Sequence, residues 1–176
     1  MELKRVYNLF KKNDVLVIWR EDENKYWLTN TYMLVMLTQE QFNWFKCKYS
    51  GLKNNPYIPD LEAGEIIRNN YGNLIDDGPD VSKLINDGNE KLEVTFTNTI
   101  FQAKLDEHIY FTDEFVGIVD NEYFKVFGQE YQFKTSGVRK PIFVYSQSNI
   151  IGALMPLDAR RSQYMENINN IYEKGA

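Results

Sequence analysis

The chain has 176 residues, of which 43% are hydrophobic and 15% aromatic, enough to bury an apolar core in one domain or in two small halves. The formal net charge is −5 and the pI is about 5.0, whereas a generic DNA-binding surface usually carries a basic excess. A single cysteine, Cys47, excludes an intrachain disulfide, and with only one histidine beside it a structural zinc site is not expected.

The first 53 residues carry the pattern of a helix, three strands and a second helix. Leu3, Val6, Tyr7 and Phe10 follow the 3.6-residue helical repeat. The predicted elements are a helix over 2–13, strands over Val15–Trp19, Tyr26–Leu28 and Tyr32–Leu37, a turn over Thr29–Thr31, and a helix that Thr38 and Gln41 begin as a capping box. The start of the chain has no signal-type apolar stretch, and no 18-residue apolar run occurs, so we expect a cytoplasmic protein.

Residues 54–90 form a connector that is rich in proline and glycine. Two short helices are predicted there, near 60–69 and 80–86, with Asp80 as the N-cap of the second and Gly88 as its stop. Residues 60–90 hold eight acidic and two basic residues, a net charge of −6. Such a segment is either a solvated loop or a surface that docks on a basic groove. The candidate partner-binding residues are Glu62, Glu65, Asp76, Asp77 and Asp80.

The second half of the chain reads mainly as strands. The predicted strands are Leu92–Asn98, Phe101–Leu105, Ile109–Phe111, Phe115–Val119, Tyr131–Lys134, Pro141–Ser146 and Ile150–Met155, with a turn at Asp106–Glu107 and a short helix over Glu122–Phe127. Tyr164, Met165, Ile168, Ile171 and Tyr172 then recur on one face of a predicted C-terminal helix. The chain therefore divides into 1–53, the connector 54–90, 91–156 and a C-terminal helix over 157–176.

Two segments resemble each other. Residues 26–35 and 109–118 each have large apolar residues, then Thr, then Asn or Asp, then a strand-like run. Phe42 and Phe45 follow the first segment as Phe124 and Phe127 follow the second. An internal repeat constrains the architecture, so we expect an α+β fold with mainly antiparallel sheet.

Other groups have a functional and a structural interpretation. Asn30, Asp113 and Glu114 either belong to a site or are turn residues, and the turn is favoured. Residues 76–80 resemble part of a calcium loop but lack its spacing. Arg139, Lys140, Arg160 and Arg161 are candidate nucleic-acid contacts, with Lys4, Arg5, Lys11 and Lys12 as further members of a basic patch, or else solvated side chains.

The remaining candidates for chemistry are few. His108 next to Glu107 has no serine or cysteine placed to pair with it, and Cys47 between two lysines reads as an ordinary, partly buried thiol. The P-loop, Rossmann and HExxH motifs are absent from the sequence. We therefore expect no catalytic residues, no metal and no cofactor.

The predicted order of helix, strands, Thr-containing turn, strand and helix resembles the half-domain of DNA sliding clamps. In bacterial clamps a Thr-Asp-Gly-His turn introduces a strand, as residues 28–31 and 111–114 do here, although both lack the Gly-His part. The bacterial clamp ends on Met-Pro-Met-Arg-Leu, which is similar to residues 153–157 followed by Arg160. The likeness covers residues 2–47 and 92–157.

The chain also looks like small clamp-like proteins of phages and prophages of low-GC Gram-positive bacteria. That resemblance implies two functions. The first is a non-enzymatic inhibitor or adaptor, such as an anti-CRISPR protein that mimics DNA and docks on an effector nuclease. The second is a replication accessory protein that oligomerises around DNA. A hydrolase or nuclease with an unrecognised site is the third alternative, which the scatter of the acidic residues along the chain disfavours.

Overall fold

A computed structural model describes residues 1–13, 15–50, 57–70, 73–75, 80–86, 92–102 and 105–157. The chain divides into two compact units, unit 1 (Met1–Gly88) and unit 2 (Asn89–Ala176), and both combine antiparallel sheet with short helices. The predicted α+β class with mainly antiparallel sheet is confirmed. The predicted C-terminal helix lies outside the described residues except for Leu157, and the finer division of the chain into four segments stays a prediction.

Unit 1 is built on a five-stranded antiparallel sheet. The described elements are α1 (Leu3–Phe10), β1 (Val15–Arg20), β2 (Lys25–Thr29), β3 (Met33–Thr38), α2 (Gln39–Ser50), β4 (Ile66–Asn70), β5 (Asn73–Ile75) and α3 (Val81–Asn86). The strand order within this unit is β5-β4-β1-β2-β3. Cross-strand pairing brings the fully buried Ile18, Leu28 and Val35 into one row.

Helix α2 covers this sheet through aromatic side chains. Phe42 stacks on Tyr26 of β2, with ring centroids 3.9 Å apart. Phe45 meets Phe10 of α1 edge to face, with ring centroids 5.7 Å apart, and it stacks on Tyr49 at 5.3 Å. These rings are buried, so burial of aromatic surface holds the two helices against each other and α2 against the sheet.

Unit 2 contains two groups of antiparallel strands. Its described elements are β6 (Leu92–Glu93), β7 (Thr95–Gln102), β8 (Asp106–Phe111), β9 (Val116–Asp120), α4 (Asn121–Phe127), β10 (Gln132–Thr135), β11 (Ile142–Ser146) and β12 (Asn149–Leu154). The strand orders are β12-β11-β10-β6 and β7-β8-β9. Phe96 contacts the rings of His108, Tyr110, Phe124 and Phe133, and these five rings form the core between β7, β8, β10 and α4.

The two units share one motif, in which three antiparallel strands are followed at once by a helix. The motif is β1-β2-β3-α2 in unit 1 and β7-β8-β9-α4 in unit 2. Adding 82 to each number in the β2–β3 pairing gives the β8–β9 pairing without a gap, so that Lys25↔Thr38 becomes Glu107↔Asp120. The same shift converts the Tyr26–Phe42 ring contact into His108–Phe124. The repeat predicted from the sequence is therefore present in the fold.

The structure corrects the alignment of the two copies by one residue. The sequence pattern pairs Thr29 with Thr112, whereas the strand registers make Asn30 the equivalent of Thr112. Asn30 Oδ1 accepts hydrogen bonds from the N–H groups of residues 32 and 33, and Thr112 Oγ1 accepts them from residues 114 and 115. An amide and a hydroxyl fold the same turn, so matching residue types misaligned the repeat.

Three predicted elements are wrong in detail. Residues 66–70 are strand β4 and not helix, because Ile66 and Ile67 are β-branched and pair with the otherwise free edge of β1. Asp106–Glu107 is not a turn, since both residues pair within the β7–β8 ladder. The strand expected over 92–98 is interrupted at Val94, whose N–H donates to the Phe133 carbonyl.

Candidate partner-binding surface

The part of the acidic connector that the structure describes best is a looped segment over residues 57–65, here called the acidic loop. Arg20, at the end of β1, binds it from both its backbone and its side chain. The Arg20 N–H donates to the Glu65 carbonyl at 3.0 Å, and the Gly64 N–H donates to the Arg20 carbonyl at 2.7 Å. The Arg20 guanidinium donates to the Leu61 carbonyl. The loop is thereby fixed to the end of β1, the middle strand of the unit 1 sheet.

Two apolar side chains anchor the acidic loop, and its other large side chains face solvent. Ile58 and Leu61 are buried, whereas Tyr57 is 71% exposed. Glu62 and Glu65 are exposed as well. The Glu62 N–H donates to the Glu65 carboxylate at 2.6 Å, which closes the turn between them. The segment thus presents an aromatic ring and two carboxylates on a backbone that is held in one conformation.

Lys46 of α2 contacts the same loop and modifies its charge. Its ammonium group lies 2.6 Å from the Asp60 carboxylate and 5.5 Å from the centroid of the Tyr57 ring. The hydrogen bond from Lys46 holds the pKa of Asp60 below its usual value. Lys46 thus offsets part of the charge of Asp60, and among the described residues Glu62 and Glu65 have no cation within ion-pair distance.

Asp80 lies at the start of α3, as the sequence predicts. Its carboxylate accepts hydrogen bonds from the Lys83 N–H at 3.0 Å and the Ser82 hydroxyl at 2.7 Å. These bonds lower the pKa of Asp80, because they favour the charged form. Asp80 is therefore an N-cap. Asp76 and Asp77, the other two acidic candidates of this part of the connector, lie outside the described residues.

Of the four basic candidates, two lie in the described part of the chain. Arg139 and Lys140 are exposed in the loop that connects β10 and β11, where Arg139 has a φ of 60° and the Lys140 N–H donates to the Gly137 carbonyl. Arg160 and Arg161 lie outside the described residues. The nucleic-acid contact predicted for these four residues stays a prediction.

The turn candidates have structural roles, as the sequence favours. Asn30 is buried and closes the β2–β3 turn through its carbonyl oxygen. Asp113 and Glu114 are exposed at the equivalent turn of unit 2, which the Thr112 hydroxyl closes. Asn30 and Thr112, at equivalent positions of the two units, thus each close a turn of the backbone.

His108 lies in the aromatic core of unit 2 and is buried. Its Nε2 is 2.6 Å from the Thr97 carbonyl, and since a carbonyl can only accept, Nε2 carries the proton. The ring lies edge-on to Phe124 at 4.2 Å and to Phe96 at 5.3 Å. Cys47 is a free thiol that is exposed, so the expectation of partial burial is wrong. Across the described ranges, no three His, Cys, Asp or Glu side chains are grouped closely enough to hold a metal ion.

Sequence reasoning counted Asp60 among the acids of the connector but missed Tyr57 and Lys46. The Lys46–Asp60 pair joins residues 14 apart in different elements, so no local pattern indicates it. An aromatic residue between Pro56 and Pro59 in a polar stretch was the available signal for Tyr57.

Comparison with protein-family models, with curated proteins and with solved structures gave no match to this chain. The resemblance to sliding clamps and to phage proteins stays a prediction. No helix in the described parts of the chain has the length and apolar character needed to cross a membrane.

Proposed function

We propose that this chain is a non-enzymatic binding protein that docks its acidic loop on the basic surface of a nucleic-acid-handling protein. The observation that carries the proposal is the combination of exposed Glu62 and Glu65 with exposed Tyr57 on a loop that Arg20 holds to the sheet. A CRISPR effector nuclease is the partner that the sequence resemblance suggests.

The charge of the loop supports an electrostatic mode of docking. Proteins that handle nucleic acids line their grooves with lysine and arginine, which complement carboxylates as they complement phosphates. Complementary charges accelerate encounter and fix the orientation of the complex. The acidic loop then occupies the groove in place of nucleic acid, and inhibition follows from competition without any chemistry by this chain.

Tyr57 supplies binding energy that the charged side chains alone do not. Exposed charge pairs contribute little to affinity, whereas tyrosine is enriched among the residues that dominate binding energy. Lys46 lies over the Tyr57 ring, and Ile58 holds the adjacent backbone in the core, so less conformational freedom is lost when the ring is covered. We expect the Tyr57 ring to be the centre of the contact and the carboxylates to form its rim.

The test is affinity capture from host lysate, with and without nuclease treatment, followed by binding measurements with the purified partner. The Glu62→Gln/Glu65→Gln variant should bind about fivefold more weakly and with a smaller salt dependence, and Tyr57→Ala should lose about tenfold or more. Glu114→Gln, which removes an exposed carboxylate from the β8–β9 turn of unit 2, is the matched control and should bind like the wild type. Unchanged affinity and salt dependence in the Glu62/Glu65 variant would refute docking through this loop.

The repeated strand-strand-strand-helix motif favours a second candidate, a replication accessory protein related to sliding clamps. Such a protein has to form a closed ring, because one chain supplies too few half-domains to encircle DNA. Light scattering of the purified chain distinguishes the two. A defined ring-sized oligomer that is retained on circular DNA favours the clamp, and a smaller species that inhibits the captured nuclease favours the inhibitor.

A further inference from the structure

Helix α2 has a second surface on the flank opposite Lys46, where α1 packs against it. Trp44 is 37% exposed there, and its ring lies edge to face with Tyr7 of α1 at 6.0 Å. The Lys11 ammonium group lies 5.4 Å from the centroid of the Tyr7 ring. A cation and two aromatic rings thus follow one another across the two helices.

Helical spacing adds two more lysines to this row. Lys4 precedes Tyr7 by three residues, and Lys48 follows Trp44 by four, so each lies on the same side of its helix as that ring. Within the described ranges, Lys4, Lys11 and Lys48 have no carboxylate within ion-pair distance. We call this surface the α1–α2 platform, consisting of Lys4, Tyr7, Lys11, Trp44 and Lys48.

The core of unit 1 does not account for the platform. Helix α1 buries Val6, Leu9 and Phe10, and α2 buries Phe42, Phe45 and Tyr49. Trp44 lies outside that stripe, and its ring stays partly accessible on the side of α2 that carries the exposed Lys48. Glu40, one turn before Trp44, is the acidic residue on this side of α2, and it weakens the positive field without cancelling three lysines.

We propose that the α1–α2 platform binds single-stranded nucleic acid. Surfaces that bind single strands combine aromatic rings, on which bases stack, with cations that follow the phosphates. The platform has the exposed ring of Trp44 for stacking, with Tyr7 packed edge to face against it, and Lys4, Lys11 and Lys48 for the backbone. An acidic peptide would engage the lysines but has no base to place on the exposed face of Trp44, so the tryptophan ring decides between the two ligands.

This inference does not depend on the acidic loop, since the two surfaces lie on opposite flanks of α2 and share no residue. Lys46 and Trp44 are two positions apart and therefore point to different sides of the helix. A chain with both surfaces would contact a nucleic-acid-handling protein through one flank and its single-stranded substrate or product through the other.

The test is titration of the full chain with thymidine and uridine oligomers of about 12 nucleotides at low salt, followed by tryptophan fluorescence and anisotropy. The tryptophan fluorescence of the wild type should be quenched on binding. Loss of that quenching in Trp44→Phe would assign it to residue 44. Trp44→Ala should weaken binding about tenfold. The Lys11→Gln/Lys48→Gln variant should reduce the slope of log affinity against log salt by about 1.4, because each single-strand phosphate contact contributes about 0.7.

The chain offers matched controls. Lys83→Gln removes an exposed lysine of α3, outside the platform, and Tyr32→Ala removes an exposed ring from the β2–β3 turn; both should stay within about twofold of the wild type. Glu40→Gln should raise affinity. Circular dichroism confirms that each variant is folded. Absence of binding at low salt overturns the proposal, and so does equal binding by Trp44→Ala or equal competition by a polyglutamate peptide.

Discussion

Gly117 faces Tyr110 across the β8–β9 pair, and the space above this glycine is filled by the tyrosine ring. A Cβ at position 117 would lie 2.6 Å from Tyr110 Cε1 and closer still to the end of the ring. Tyr110 is buried, and burial raises the pKa of its hydroxyl. The equivalent pair in unit 1 is Leu28↔Val35, which fills the same cross-strand space with two side chains of medium size.

Gly117→Ala is therefore expected to lower the free energy of unfolding by about 2 kcal/mol, because the added methyl group overpacks a buried pair. Urea unfolding followed by circular dichroism measures the change. Combining Gly117→Val with Tyr110→Leu recreates the pair of the other unit, and the double variant should be more stable than the sum of its two single variants predicts. Additive effects would show that the ring does not require the glycine.

Helix α2 begins with a reciprocal pair of hydrogen bonds between Thr38 and Gln41. The Gln41 N–H donates to the Thr38 hydroxyl at 3.3 Å, and the Thr38 N–H donates to the Gln41 side-chain oxygen at 3.0 Å. This is the capping box that the sequence predicts. The helix carries both Lys46, beside the acidic loop, and Trp44, in the α1–α2 platform, so its start fixes the position of both surfaces.

Thr38→Ala removes the hydroxyl and should destabilise the protein by about 1 kcal/mol. Thr38→Ser keeps the acceptor and should lose less than half of that amount. Hydrogen exchange of the first turn of α2 gives a local readout: protection should fall in the alanine variant and persist in the serine variant. Equal protection in all three proteins would mean that packing of Phe42 and Phe45, and not the cap, sets the start of the helix.

The elements that the sequence predicts correctly are those whose signals are local. The capping residues Thr38 and Asp80 and the apolar stripe of α1 each act within a few positions of the chain. Strand β4 was not predicted because its stability comes from pairing with β1, about fifty positions earlier in the chain. A short apolar run is compatible with a helix or a strand until its pairing partner is known.

The same limit applies to the candidate surface. The carboxylates of Glu62 and Glu65 are visible in the sequence, but the hold of Arg20 on this loop is not, because it joins β1 to residues 61–65. The repeat shows the opposite failure. Its existence is visible, yet its register is not, since Asn30 and Thr112 make the same turn with different chemistry.

At the scale of the whole molecule, the aspartates of the two units have pKa values shifted in opposite directions, so acid affects their contributions to stability differently. Hydrogen bonds from the Asn24 N–H, from Lys46 and from the Lys83 N–H lower the pKa values of Asp22, Asp60 and Asp80 in unit 1. Groups with lowered pKa values stabilise the fold above their unfolded value, and this contribution is lost as the pH falls. In unit 2, burial raises the pKa of Asp120, and the carboxylates of Glu122 and Asp106 add to the effect.

Asp120 should consequently stabilise the fold at low pH and cease to do so as the pH rises from its unfolded pKa, near 3.8, through its higher folded value. Its side chain also caps α4 by accepting from the Glu122 N–H, a role that asparagine fills equally well. Asp120→Asn keeps the cap and removes the only raised carboxyl pKa resolved in the described part of the chain.

The Asp120→Asn variant should equal or exceed the wild type in stability near neutral pH. It should lose more stability than the wild type on acidification to about pH 4, because only groups with lowered pKa values remain. Urea midpoints at the two pH values measure both effects. A parallel loss in the two proteins would show that Asp120 titrates normally in the fold.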